Sequence, residues 1–174
     1  MKNLVKTVQG LLVSLPWEDA YGLDTLQERQ NEINLRTVHE MLKRILELDS
    51  SPLTLGRQPQ KRKVSLCRDF AVLLVSMLRH NDVPARVRVG FAGYYRVETP
   101  RYWDHRIAEY WNDRLNRWVL VDAMTEKPIL EHLRFEIDPL NIDGRSQFLL
   151  AGEVWQRCRA GKATPQRFGG SPDD

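Results

Sequence analysis

The stretch SLCRDFAVLLVSMLRHNDVPARVRVGF, residues 65–91, changes its hydrophobic period partway along, and that change restricts the fold more than any other feature of the chain. Its first part sets Cys67, Phe70, Ala71, Leu74, Met77 and Leu78 on one helical face. Ser65 is a residue type that caps helix N-termini, and Asn81 and Pro84 supply a stop, with Asn able to take the left-handed conformation there. From Ala85 the period falls to two. Ala85, Val87, Val89 and Phe91 alternate with Arg86, Arg88 and Gly90, as in a half-buried strand. Two further strand-like runs follow, HRIAEYW and RWVLVDA, joined by the polar NDRLN. A helix feeding an antiparallel meander argues for an α+β fold.

The flanks are less regular. Residues 1–50 read as helical, with Ile33, Val38, Met41, Leu42 and Ile45 at helical spacing. Residues 49–63, broken by Pro52, Gly56 and Pro59, then read as a loop, and their basic end (Arg57, Lys61, Arg62, Lys63) as a solvated face rather than a phosphate contact. A last helix is expected over 146–161, stopped at Gly161, with a loose tail over 162–174. A length of 174 residues suits one domain over 1–174 with a sizeable core, and 42% hydrophobic with 28% charged residues excludes a disordered chain. The net charge of +3 permits an acidic partner without demanding one. Two cysteines are too few for a disulfide framework, and no signal peptide or membrane-spanning run is visible, so a cytoplasmic protein without membrane contact is expected. The sequence leaves the oligomeric state open.

Cys67 sits at the front of its helix rather than within the apolar run. In the first turn, unpaired backbone N–H groups and the positive end of the helix dipole favour an anion, and a thiolate is the reactive form of cysteine. Such a thiol needs a base, and the base needs an acceptor to orient it. A symmetric hairpin centred between Asp113 and Arg114 sets His105 opposite Asp122, Ile107 opposite Leu120 and Glu109 opposite Trp118. Opposed side chains share a face about 5 Å apart, so Asp122 can hold one imidazole nitrogen while the other faces Cys67. Asp104, adjacent to His105 along the strand, turns to the other face, and Asp69 points elsewhere round the helix. His39 reads as a helix-surface residue, His80 as favouring the dipole at its helix end rather than as catalytic, His132 has no evident partner, and Cys158 reads as helix packing. Trp103, Trp111 and Trp118 read first as core and second as cleft lining. No spacing suggests a metal site.

LCRDFAVLLVSMLRHNDVPARVRVGF, then DHRIAEYW, then RWVLVDA resemble the three signature blocks of the transglutaminase-like superfamily, and RSQFLLAGEVWQRCRAG with RFG resembles the tail of small bacterial members. The resemblance implies a papain-like core with a Cys–His–Asp triad: Cys67 as nucleophile, His105 as base and acid, Asp122 as orienter. It implies acyl transfer from an amide or peptide to water or an amine, without a cofactor or a metal. The chain departs from many members in having Ser65 and Leu66 rather than a glycine before the cysteine, and Arg106 and Ile107 rather than an aromatic after the histidine. Nothing resembles the calcium sites of animal crosslinking enzymes or the zinc motifs of peptide N-glycanases. Two other readings compete: a non-catalytic binding module on the same fold and, last, nucleic-acid binding through Arg57, Lys61, Arg62, Lys63, Arg86 and Arg88, which lacks a recognisable motif.

Overall fold

A computed structural model describes residues 1–24, 26–95, 101–134 and 136–170. Helix α3 (Cys67–His80) lies against a four-stranded antiparallel sheet of β3 (Ala85–Ala92), β4 (Trp103–Asn112), β5 (Arg117–Val121) and β6 (Phe148–Leu150), in the order β5-β4-β3-β6. The architecture is α+β, as the period switch predicts. Phe70, Leu73, Leu74 and Leu78 of α3 are buried in one core with Ile107, Ala108, Val119 and Val121 of the sheet. Burial of this apolar face holds the helix, and Phe70→Ala should cost about 3–5 kcal/mol.

The N-terminal part mixes more elements than the helical pattern suggests. Helix α1 (Lys2–Leu11) runs straight into β1 (Leu12–Ser14), two 3-10 segments follow (Leu15–Tyr21 and Leu26–Asn34), and α2 spans Val38–Leu48. Thr37 and Glu40 form a reciprocal capping box that fixes where α2 begins. Strand β2 (Lys63–Ser65) pairs in parallel with β1, Ser14 against Ser65. On its other side the buried Glu32 accepts from the Val64 N–H at 2.8 Å while pairing with Arg29 and Arg44.

This pairing changes two expectations. Ser65 belongs to β2, so it is Leu66 that caps α3, and Cys67 is the first helical residue. Asp69 turns back to accept from the Leu66 N–H at 3.2 Å, closing the helix start. The basic segment is not a solvated face either. Lys63 is fully buried, Arg57 nearly so and bonded to backbone carbonyls, Arg62 pairs with Glu126, and Lys61 alone of the four is well exposed. At the other end of α3 the left-handed residue is Asp82 (φ 58°), not Asn81, whose side chain instead donates to the Met77 carbonyl.

The C-terminal region also differs. Beyond α4 (Lys127–Leu133), Phe148–Leu150 leave the expected helix to pair with β3, and α5 spans Ala151–Arg159. Gly161 does adopt a left-handed φ of 67° just beyond it. The segment after Gly161 is tied rather than loose as far as residue 170: Tyr102 donates to the Arg167 carbonyl, Asp104 to that of Gly170, and the Tyr102 and Phe168 rings stack. Residues 171–174 of the expected tail lie outside the described residues.

Candidate active site

The β4–β5 hairpin carries both partners expected for Cys67, in a register two residues away from the symmetric one. Ala108 pairs with Val121, Glu109 with Leu120 and Trp111 with Trp118, around a loop of residues 113–116. Asn116 takes a φ of 47° there, and the Asn112 carboxamide accepts from the N–H groups of Arg114 and Leu115, so the turn is longer than the symmetric one. Asp122, one step past Val121, therefore comes abreast of Ile107 rather than His105. A slip of two preserves the alternation, so His105 and Asp122 still share a face as diagonal neighbours, within reach of long side chains.

The two side chains meet. His105 Nε2 lies 2.9 Å from Asp122 Oδ2, and both residues are almost wholly buried. With Nε2 engaged by Asp122, Nδ1 is the imidazole nitrogen that Asp122 does not hold, and Cys67 is close enough to His105 and Arg106 for both to draw its thiol pKa down. Asp104 is exposed and makes no bond to the imidazole ring among the described residues.

Asp122 has more donors than the sequence suggests. Tyr94 donates to Oδ2 at 2.7 Å, Tyr95 at 3.1 Å and Thr125 at 2.6 Å, while the Met124 N–H donates to Oδ1 at 3.0 Å. Tyr94 and Tyr95 follow β3 in GYY, where no periodicity marks them. Thr125, three residues past Asp122 in DAMT, carries the weak signal of a hydroxyl turning back on a carboxylate. Phe148 of β6 stands edge-on to the imidazole, ring centroids 6.5 Å apart. Gly90 makes that approach possible: a Cβ there would sit 2.2 Å from the Leu149 carbonyl oxygen and 2.8 Å from Phe148 Cζ.

These contacts set the charges. Burial works against a proton on His105, but the charge and hydrogen bond of Asp122, then those of Cys67, outweigh it and carry the pKa to about 10. Burial would raise the Asp122 carboxyl, yet the His105 charge and bonds from His105, Thr125 and Tyr94 hold it at about 2. Burial likewise opposes ionisation of Cys67. The His105 bond and charge, the Arg106 N–H and the Arg106 charge together bring the thiol below its ordinary value. Burial and the Asp122 charge keep Tyr94 and Tyr95 protonated, so they remain donors.

Cys67 and His105 open onto a cleft of about 760 Å³ whose walls include Trp17, Tyr95 and Trp103. Trp103 alone of the three strand tryptophans lines it; Trp111 and Trp118 pack on each other near the hairpin end, and Arg86 lies over Trp118. Below the helix start, Lys63 Nζ lies 3.3 Å from Asp69 Oδ2, a buried ion pair that no sequence spacing reveals. Cys158 borders a separate apolar groove with Trp155 and Phe168. His39, His80 and His132 are exposed, away from the cleft.

The sequence model of the transglutaminase-like superfamily matches residues 29–123, which include Cys67, His105 and Asp122. The chain belongs to that superfamily. A crystal structure of a "Putative Cysteine Protease from Cytophaga hutchinsonii" is similar to this transglutaminase-like chain at 18% identity and a TM-score of 0.31, over 58% of this chain. The likeness takes in 37% of that protein's length. No curated protein matches the chain. No helix among the described residues is long and apolar enough to cross a membrane.

Proposed function

We propose that this transglutaminase-like domain is a cysteine hydrolase or acyltransferase that cleaves an amide or peptide bond through a thioester on Cys67. The observation that carries the reading is His105, buried, held at Nε2 by an Asp122 that four further donors keep ionised and fixed, and close enough to Cys67 to lower its thiol pKa. In this reading the Cys67 thiolate attacks the amide carbonyl carbon. As the first residue of α3, Cys67 has a backbone N–H with no carbonyl of its own helix to bond, and it donates to the oxyanion. The C–N bond then breaks, and the imidazolium of His105 gives its proton to the departing amine. Water or a second amine next attacks the thioester, loses its proton to His105 and frees the thiolate. Gln58 and Gln60 lie upstream of Cys67, but no spacing selects either as a second donor and neither lines the cleft.

The test uses 4-nitrophenyl acetate as an activated acyl donor. Intact-mass and peptide mapping should find an acetyl adduct on Cys67 that discharges to water or to added amine, and Asp122→Asn should slow its formation. An adduct on Cys158 alone, or none with an otherwise folded protein, would leave the binding-module reading in its place.

A further inference from the structure

The charge of the cleft is out of balance beside the reacting sulfur. Among the described residues, Arg36, Arg68 and Arg106 line it against one carboxylate, Asp104. Arg68 is already committed, donating to Asp69 Oδ1 and to the Ile33 carbonyl at 2.7 Å. The guanidinium groups of Arg36 and Arg106 have no hydrogen-bond or ion-pair partner among the described residues. Several other arginines whose side chains are partly covered are satisfied: Arg29 and Arg44 by Glu32, Arg62 by Glu126, Arg88 by Glu109. Arg106 differs from these: it is half-buried and, among the described residues, unpaired, and it differs from the likewise unpaired Arg101 in lining the cleft next to His105 in β4.

A guanidinium taken partly out of water without a partner carries a desolvation cost, and a bound anion removes it. Its planar fork suits a carboxylate held by two parallel bonds, and it stays charged at every accessible pH. With Asp104 already supplying a negative charge at the same cleft, a single carboxylate suits this fork better than a doubly charged phosphate. Asp122 does not alter this count at the mouth, because it lies behind the imidazole among its own donors.

Resting on the acyl-transfer reading of the same cleft, we propose that the acyl donor is an acidic peptide whose carboxylate, adjacent to the amide under attack, is held by Arg106, with Arg36 at the outer edge. Arg106 and Arg36 are specificity-determining residues in this account. The arginine that stands where many relatives have an aromatic residue thereby selects substrate charge, while the triad performs the bond exchange.

Two alkylating probes of similar size test this directly. Iodoacetate carries a carboxylate beside the carbon that the thiolate attacks; iodoacetamide is neutral there. The imidazolium of His105 attracts the anionic probe in every variant, so the informative quantity is the change in the iodoacetate-to-iodoacetamide rate ratio at Cys67, read at a pH where the thiolate is fully formed. Arg106→Gln should lower the ratio about tenfold, the loss expected for one charge-assisted contact. Arg106→Lys should keep much of it, which separates loss of charge from local disorder, and Arg36→Gln should lower it less. An unchanged ratio in Arg106→Gln, with brisk iodoacetamide labelling, overturns the anion subsite and leaves the acyl-transfer reading standing. No labelling of Cys67 by either probe removes both. Protection of Cys67 from iodoacetamide then separates the sources of the carboxylate. Acetyl-Ala-Glu-amide protecting best assigns a side-chain carboxylate, and acetyl-Ala-Ala free acid protecting best assigns a chain terminus. Equal protection by acetyl-Ala-Gln-amide overturns the proposal.

Discussion

Removing the Asp122 charge should reverse the sign of the protein's pH-dependent stability in the neutral range. His105 has its pKa raised in the fold, so its ion pair stabilises fully below the unfolded value of about 6.5 and is lost as pH rises through about 10. Moving a proton affinity from about 6.5 to about 10 corresponds to roughly 5 kcal/mol at 1.36 kcal/mol per tenfold change, with a steepest slope of about 1.4 kcal/mol per pH unit. The depressed Asp122 reports the same attraction from the acid side, present above about 4 and lost as pH falls through about 2, and is not added to it. Cys67 must be silenced, because a lowered thiol pKa contributes stability in the opposite direction as pH rises, so the comparison belongs in a Cys67→Ser background. There the 5 kcal/mol is a ceiling, since part of the His105 shift comes from Cys67. In Asp122→Asn, burial is left to dominate and drives the His105 pKa below its ordinary value. The unfolded chain then binds more protons, and stability should rise with pH across the range where the parent falls. Lys63, whose own pKa burial lowers, titrates in both proteins and drops out of the difference. Urea unfolding at pH 6, 7, 8 and 9 measures the slopes, and a loss of several kcal/mol would appear as about 10–20 °C in Tm for a chain of this size. Parallel slopes in the two proteins would refute the reasoning.

Other outcomes follow from the same geometry. Iodoacetamide should label Cys67 well before Cys158 near neutral pH, read by peptide mapping of the folded protein; equal rates would mean that Cys67 is not activated. The Cys67 alkylation rate should rise with pH through an apparent value below the free-thiol 8.5, and His105→Ala should move that rise back toward it. Asp122→Asn should slow alkylation far more than Asp104→Asn, whose side chain is exposed; the reverse order would contradict the Nε2–Oδ2 contact. Asp69→Ala strands Lys63 as an unpaired buried ammonium and should cost about 3–5 kcal/mol in urea unfolding. Gly90→Ala drives a methyl into the Leu149 carbonyl and should cost about 2–3 kcal/mol while loosening β6.

The parts of this structure legible in the sequence are those where one physical signal dominates over a long run. The apolar face of α3 and the alternation of β3 reveal the α+β order, although burial along β3 does not follow that alternation, Val89 being exposed while Gly90 and Ala92 are buried. Alternation likewise puts His105 and Asp122 on one face even though the hairpin register differs by two, because a slip of two leaves parity intact. What stayed hidden is decided by single residues or by partners far along the chain. LVS and FLL are three-residue runs with no alternation, so β1 and β6 leave no periodic trace. The shift of the helix cap from Ser65 to Leu66 follows from β2 pairing with β1, some fifty residues upstream. Lys63 and Asp69 look like surface charges until the fold brings them together out of water. Tyr94 and Tyr95 look like core aromatics, and only the position of Asp122 gives their hydroxyls a purpose.

The seating of Phe148 against His105, made possible by Gly90, also orders events in time. A ribosome delivers Cys67 first, then the hairpin that brings its base, and much later the strand whose ring walls that base from water. Until β6 adds to the edge of β3, the imidazole is open to solvent, its attraction to Asp122 is screened, and the thiol behaves much like any other cysteine. If Cys67 is the nucleophile proposed above, finishing the sheet and arming the thiol are one event.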